Sequence, residues 1–92
     1  MISVCMACYN GQKYIRQQID SILSQLTEND ELIISDDGSK DLTCAIVLSY
    51  HDPRIKLLHN TKEHGFVRNF ENALRRAKGD IIFLSDQEDV WK

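Results

Sequence analysis

Four short apolar runs alternate with three helical stripes along this chain, and that alternation is what most restricts its fold. The first run, Ile2 to Cys8, is continuous enough for a strand buried on both faces. After Asn10-Gly11, the residues Ile15, Ile19, Ile22, Leu23 and Leu26 recur at helical spacing, and Asn29-Asp30 closes that segment. Leu32-Ile33-Ile34 forms a second run, followed by an Asp36-Asp37-Gly38 turn. Ser39 or Asp41 is positioned to cap a second helix with Leu42, Ala45, Ile46 and Ser49 on one face, and Pro53 ends it. Residues 55–58 supply a third run. A polar loop then leads through Gly65 to a third stripe of Phe66, Phe70, Ala73, Leu74 and Ala77. Gly79 sits where a left-handed helix end belongs, and residues 80–84 make the fourth run.

This order predicts an α/β fold: a mostly parallel sheet with helices on both faces and right-handed crossovers. Ligands of such sheets collect beyond the carboxyl ends of the strands. Tyr9-Asn10-Gly11, Asp36-Asp37-Gly38 and Asp86-Gln87-Glu88 all fall at those ends.

Bulk properties narrow the classes. Ninety-two residues make one small domain, and a net charge of −3 offers no basic stripe for nucleic acid. No apolar segment reaches the roughly 20 residues of a membrane span, and Met1 leads straight into a strand pattern without a signal peptide. Three cysteines, an odd count, predict reduced thiols and a cytoplasmic location. Cys5 and Cys8 have C-x-x-C spacing, but strand alternation sends residues three apart to opposite faces. They and Cys44 read as buried structural thiols. His51, His59 and His64 show no ligand spacing.

The candidate site rests on acids. Asp36 and Asp37 serve as turn carboxylates bonding nearby N–H groups, or as acceptors for a ribose hydroxyl or ring N–H of a nucleotide. Tyr9 and Asn10 flank a base, or form a plain strand-to-helix turn with Asn10 as cap. Asp86, Glu88 and Asp89 are three like charges after a buried strand, which repel unless a cation lies among them. Oxygen-only ligands suit Mg²⁺ or Mn²⁺, and Asp86 and Glu88, two apart, point the same way on extended backbone. A solvated acidic loop is the alternative. Arg68 and Asn69 begin the third helix at the same sheet edge, where an anion would be welcome, although Arg68 reads first as surface. Neither G-x-G-x-x-G nor a P-loop is present, and a receiver domain would carry its acidic pair after the first strand.

Taken in order, Ser3-Val4, Ala7-Cys8-Tyr9-Asn10-Gly11, Ile34-Ser35-Asp36-Asp37-Gly38-Ser39-Lys40-Asp41, Gly65-Phe66 with Asn69 and Ala73, and Asp86-Gln87-Glu88-Asp89-Val90-Trp91 resemble the start of family 2 glycosyltransferases. The final motif is similar to a rhamnosyltransferase-like subset. The resemblance implies a truncated GT-A fold, with residues 1–92 as the N-terminal donor-binding half. It also implies a nucleotide-diphosphate sugar donor and inverting transfer to a saccharide or lipid-linked saccharide acceptor, in surface polysaccharide synthesis.

Carried over by position, Ala7, Tyr9, Asp37 and Asp36 hold the nucleoside, and Asp86 and Glu88 take the D-x-D places that bind metal and diphosphate. Glu88 stands where the family usually has Asp. The general base is expected beyond Lys92, leaving this chain alone inactive, and a longer protein is compatible with membrane association. The competing expectation is a non-catalytic nucleotide-binding or interaction module that self-associates through residues 81–84.

Overall fold

A computed structural model describes residues 1–86, the last of them by its backbone alone. Glu88 and Asp89, and with them part of the predicted metal site, lie outside the described residues. The elements run β1 (Ile2–Cys8), α1 (Ile15–Leu23), β2 (Glu31–Asp36), α2 (Thr43–Leu48), β3 (Ile55–His59), α3 (Phe66–Leu74) and β4 (Ile81–Asp86). The four strands form one parallel sheet in the order β3-β2-β1-β4. The chain steps from β1 through β2 to β3 in one direction, then returns across both to place β4 beside β1. Right-handed crossovers therefore put α1 and α2 on one face and α3 on the other.

The two faces differ in depth. Val4, Met6 and Cys8 of β1 meet Ile15, Ile19 and Ile22 of α1 with Leu32, Ile34 and Val47 in the larger core. Cys5, Ile33 and Ala73 form the smaller core under α3. Cys5 and Cys8 therefore lie on opposite sides of the sheet, as strand alternation requires. Each fully buried isoleucine stabilises the fold by about 1.5–3 kcal/mol. β4 is the exception: Ile81, Ile82, Phe83 and Leu84 are each 44–58% exposed. Among the described residues, no helix is long and apolar enough to cross a membrane.

Several local expectations shift. α1 stops at Leu23 and Leu26 packs from the following turn. α2 stops at Leu48, short of Pro53, and its N-cap is Leu42 with no side-chain cap. Asp41 instead accepts the Thr43 N–H two residues on, at 2.9 Å. The inward stripe is Thr43, Ile46 and Val47 of α2, continued by Tyr50 just beyond its end, not Leu42, Ala45, Ile46 and Ser49; Leu42 is 59% exposed. The Thr43 hydroxyl decides this, because it bonds inward to the Gly11 N–H at 2.9 Å. Asp36 is the last residue of β2 rather than part of the turn.

Gly79 does not adopt a left-handed backbone. It is required by crowding: a Cβ there would lie 2.7 Å from the Ser3 nitrogen and 2.8 Å from the Met1 oxygen.

Candidate functional site: the carboxyl edge of the sheet

β1 is central and buried, so the chain leaving it must turn outward at once. Tyr9 is half exposed, and Asn10 takes a left-handed conformation with φ 48°, which asparagine tolerates better than most residues. Asn10 is not the cap of α1. Its side-chain oxygen accepts the Lys40 N–H at 2.8 Å, and its own N–H donates to Ser39 Oγ at 2.8 Å. Gly11 and Gln12 donate their N–H groups to Thr43 Oγ1 and Asp41 Oδ2. The loop after β1 is thus stitched to the loop after β2 in both directions, which satisfies donors that a helix start leaves open.

Asp36 is 2% exposed. One carboxylate oxygen accepts the N–H groups of Gly38 and Ser39 at 3.1 and 2.9 Å; the other accepts the Ser39 hydroxyl and the Cys8 thiol. Burial works to raise this carboxyl, but the Ser39 bonds outweigh it and hold it below the usual range. The same environment, through burial first and the Asp36 charge second, pushes the Cys8 thiol far up, so it stays protonated. Asp36 shapes the turn and holds Asp37 forward of it.

Asp37 faces a different set of partners. Its Oδ1 accepts from Asn60 Nδ2 and pairs with His64 Nδ1, both at 2.9 Å, and its Oδ2 accepts the Gly65 N–H at 2.9 Å. Burial again opposes ionisation, and the bonds from Gly65, Asn60 and His64 overcome it, so the carboxyl is held low. Gly65 sits at φ 125°, a backbone that side chains rarely adopt. Two clefts share Tyr9 and Asp37 in their walls. One of about 340 Å³ adds Lys40 and His64, and one of about 260 Å³ adds Ala7, Phe66 and Asn69. Asn69 is fixed behind the second cleft, accepting from Ser35 Oγ at 2.6 Å and donating to the Cys8 carbonyl at 3.2 Å.

The register completes the edge. Ala7 lies between Ser35 on β2 and Asp86 on β4, and Cys8 pairs with Asp36. The approach to Asp86 is anchored from α1, where the buried Gln18 donates to Ser85 Oγ at 2.6 Å. Ala7, Tyr9, Asn10, Asp36, Asp37 and the backbone of Asp86 therefore share one edge of the sheet.

Sequence patterns give Asn60 and His64 no site role and Gly65 only a place in the family resemblance. The usable signal was their position: they follow β3, whose carboxyl end lies on the same edge as the others. Arg68, read as surface, is half exposed and paired with Glu63 and Glu71.

Comparison with known proteins gives a consistent result. Residues 3–92 match the family model described as Glycosyl transferase family 2. The chain is 38% identical over 91 residues to the UDP-Glc:alpha-D-GlcNAc-diphosphoundecaprenol beta-1,3-glucosyltransferase WfgD of Escherichia coli, covering 99% of this chain and 36% of that protein. It is 33% identical over 94 residues to glycosyltransferase GlyG of Streptococcus pneumoniae, covering 100% of this chain and 31% of that one. The chain spans about a third of the length of these curated relatives.

Among solved structures, S. aureus TarS in complex with UDP superposes with a TM-score of 0.87 at 27% identity, over 97% of this chain and 28% of that one. The mannosyltransferase PcManGT from Pyrobaculum calidifontis, in complex with GDP-Man and Mn²⁺, gives 0.87 at 27% identity, over 98% and 28%.

Proposed function

Because this chain belongs to glycosyl transferase family 2, we propose that it is the donor-holding part of an enzyme that moves a sugar from a nucleotide diphosphate to an acceptor hydroxyl. One observation carries the reading. The loops after β1, β2 and β3 and the last residue of β4 meet at one sheet edge around two clefts walled by Tyr9 and Asp37. The nucleoside lies against Tyr9 and Ala7, with the Asp37 carboxylate accepting a ring N–H or ribose hydroxyl. Asn10 and Asp36 act through the turns they hold, keeping Tyr9 and Asp37 in place.

Asp86, ending β4 beside Ala7, would hold Mg²⁺ or Mn²⁺ together with Glu88. The set is carboxylate oxygen only, which fits a hard cation completed by diphosphate and water. When bound, such a cation neutralises charge on the departing diphosphate. That PcManGT was solved with GDP-Man and Mn²⁺, and TarS with UDP, supports this assignment. Displacement at the anomeric carbon, with inversion, also needs a base for the acceptor proton; no described residue is assigned to it. The activity serves surface polysaccharide synthesis at the cytoplasmic side, with a saccharide or lipid-linked saccharide as acceptor.

Calorimetric titration of UDP, GDP and dTDP, with and without Mn²⁺, tests the proposal. Metal-dependent binding of at least one, weakened tenfold or more in Asp86→Asn, is expected. No metal-dependent binding to any of the three contradicts it.

One observation favours a second reading, an interaction module. An apolar cleft of about 540 Å³ lies between Phe66, Phe70 and Leu74 of α3 and Leu84 of β4, beside the exposed side chains of Ile81, Ile82 and Phe83. A second copy docking there would bury both. Sedimentation at several concentrations decides: a concentration-dependent dimer that Leu84→Lys abolishes supports it, and a strict monomer removes it.

A further inference from the structure

A second cluster of ligating side chains lies at the same edge, away from Asp86. Asp36 ends β2, His59 ends β3, and the two are register partners. Cys44, the second residue of α2, comes down onto them. One carboxylate oxygen, the thiol sulfur and one imidazole nitrogen all lie within 4.8 Å of one another. We propose that Asp36, Cys44 and His59 form a Zn²⁺ site with an open fourth position. It is independent of the donor reading and separate from the hard-cation site.

The chemistry of the three ligands selects the metal. Sulfur, imidazole nitrogen and carboxylate oxygen together suit zinc and disfavour Mg²⁺, which prefers six oxygens. Tetrahedral coordination at ordinary zinc bond lengths needs ligand separations of about 3.3–3.8 Å. The trio is within about 1 Å of that, and His59, the exposed member, can close the gap by rotating. Asp36 is already oriented for the task by the Gly38 and Ser39 N–H groups and the Cys8 thiol, the outer-shell bonding that ligating carboxylates need.

The local field also favours a cation. The carboxylates of Asp36 and Asp41 place negative charge around Cys44, and Asp36 accepts its S–H. On metal binding Cys44 releases that proton to solvent and the thiolate binds. In the sheet order β3-β2-β1-β4 the nearer zinc ligand, Asp36 on β2, stands two strand spacings or about 10 Å from β4, and His59 on β3 stands three. Zinc would tie β2, α2 and β3 together directly behind Asp37.

Titration of the reduced chain with Co²⁺ tests the site, since only a thiolate ligand gives cobalt a strong near-ultraviolet charge-transfer band. One equivalent should produce the band, Zn²⁺ should abolish it, and excess Mg²⁺ should not. Cys44→Ser should remove the band, and His59→Gln should weaken Co²⁺ binding at least tenfold. His59 is exposed, so that variant keeps the fold. Cys5→Ala, on the opposite face of the sheet, should leave the band intact. Absence of the band, its survival in Cys44→Ser, or His59→Gln binding within twofold of the parent overturns the proposal.

Discussion

The two ends of this sheet both bury carboxylates, and they neutralise them differently. At the amino end Glu31 is 2% exposed and accepts from Ser3 Oγ at 2.6 Å, the Lys78 N–H at 2.8 Å and Lys56 Nζ at 2.7 Å. Its charge is met by a lysine of the same fold, and the surroundings close so tightly that Gly79 admits no Cβ. At the carboxyl end Asp36 and Asp37 are held by amides, hydroxyls, thiols and His64. Among the described residues neither pairs with lysine or arginine. Clefts open beside Asp37 there. A buried acid with its own lysine is a structural joint. A buried acid on mostly neutral donors, beside open space, has capacity left for a ligand.

Substitutions can break that division. The largest effect is expected from Glu31→Ala, which strands the Ser3 hydroxyl, the Lys78 N–H and Lys56. Such losses cost about 3 kcal/mol, read as a lower urea midpoint, while nucleotide affinity stays within about twofold. A tenfold loss of affinity in that variant would mean the two ends are not independent. Asp37→Asn should do the reverse. Nucleotide affinity should fall about tenfold, equivalent to about 1.4 kcal/mol, with a smaller change in the urea midpoint, both measured on one preparation.

Acid sharpens the comparison least, because it acts on both ends together. The carboxyls of Glu31, Asp36 and Asp37 are all held below their ordinary values. The unfolded chain takes up these protons first, near pH 4. The stabilisation is therefore full above about pH 4 and is lost as pH falls through the lower folded values. Urea midpoints followed downward from pH 5 should drop, and Asp36→Asn should flatten the slope. A parent chain with no slope in that window would show that these bonds contribute nothing.

The alternation of apolar runs and helical stripes was enough to read the element order, the parallel sheet and the carboxyl-edge location from sequence. Periodicity failed where a polar side chain decides packing. Thr43 turns α2 by one position because its hydroxyl is needed inside. Gly79 was read as a backbone conformation when the cause is a close approach between segments far apart in sequence. Sequence offers Asn10 as a cap, whereas its side chain bonds Lys40, which becomes its neighbour only once β1 and β2 pair. The joint role of Asn60, His64 and Gly65 is not legible, because spacing along the chain says nothing about three residues converging on one carboxylate from another strand's loop. Residues read from strand ends were placed well, and residues defined by cross-loop bonds were not.

The central claim is that a nucleotide diphosphate and its cation sit at the carboxyl edge. Amide NMR spectra recorded with trace Mn²⁺ and the nucleotide that binds best would test this directly, since the paramagnetic ion broadens nearby resonances first. The account predicts early loss at residues 7–10, 36–38, 64–65 and 85–86, with Glu31 and Gly79 unaffected. Broadening that begins around Glu31 and Gly79, or that shows no preference for either end, would contradict it.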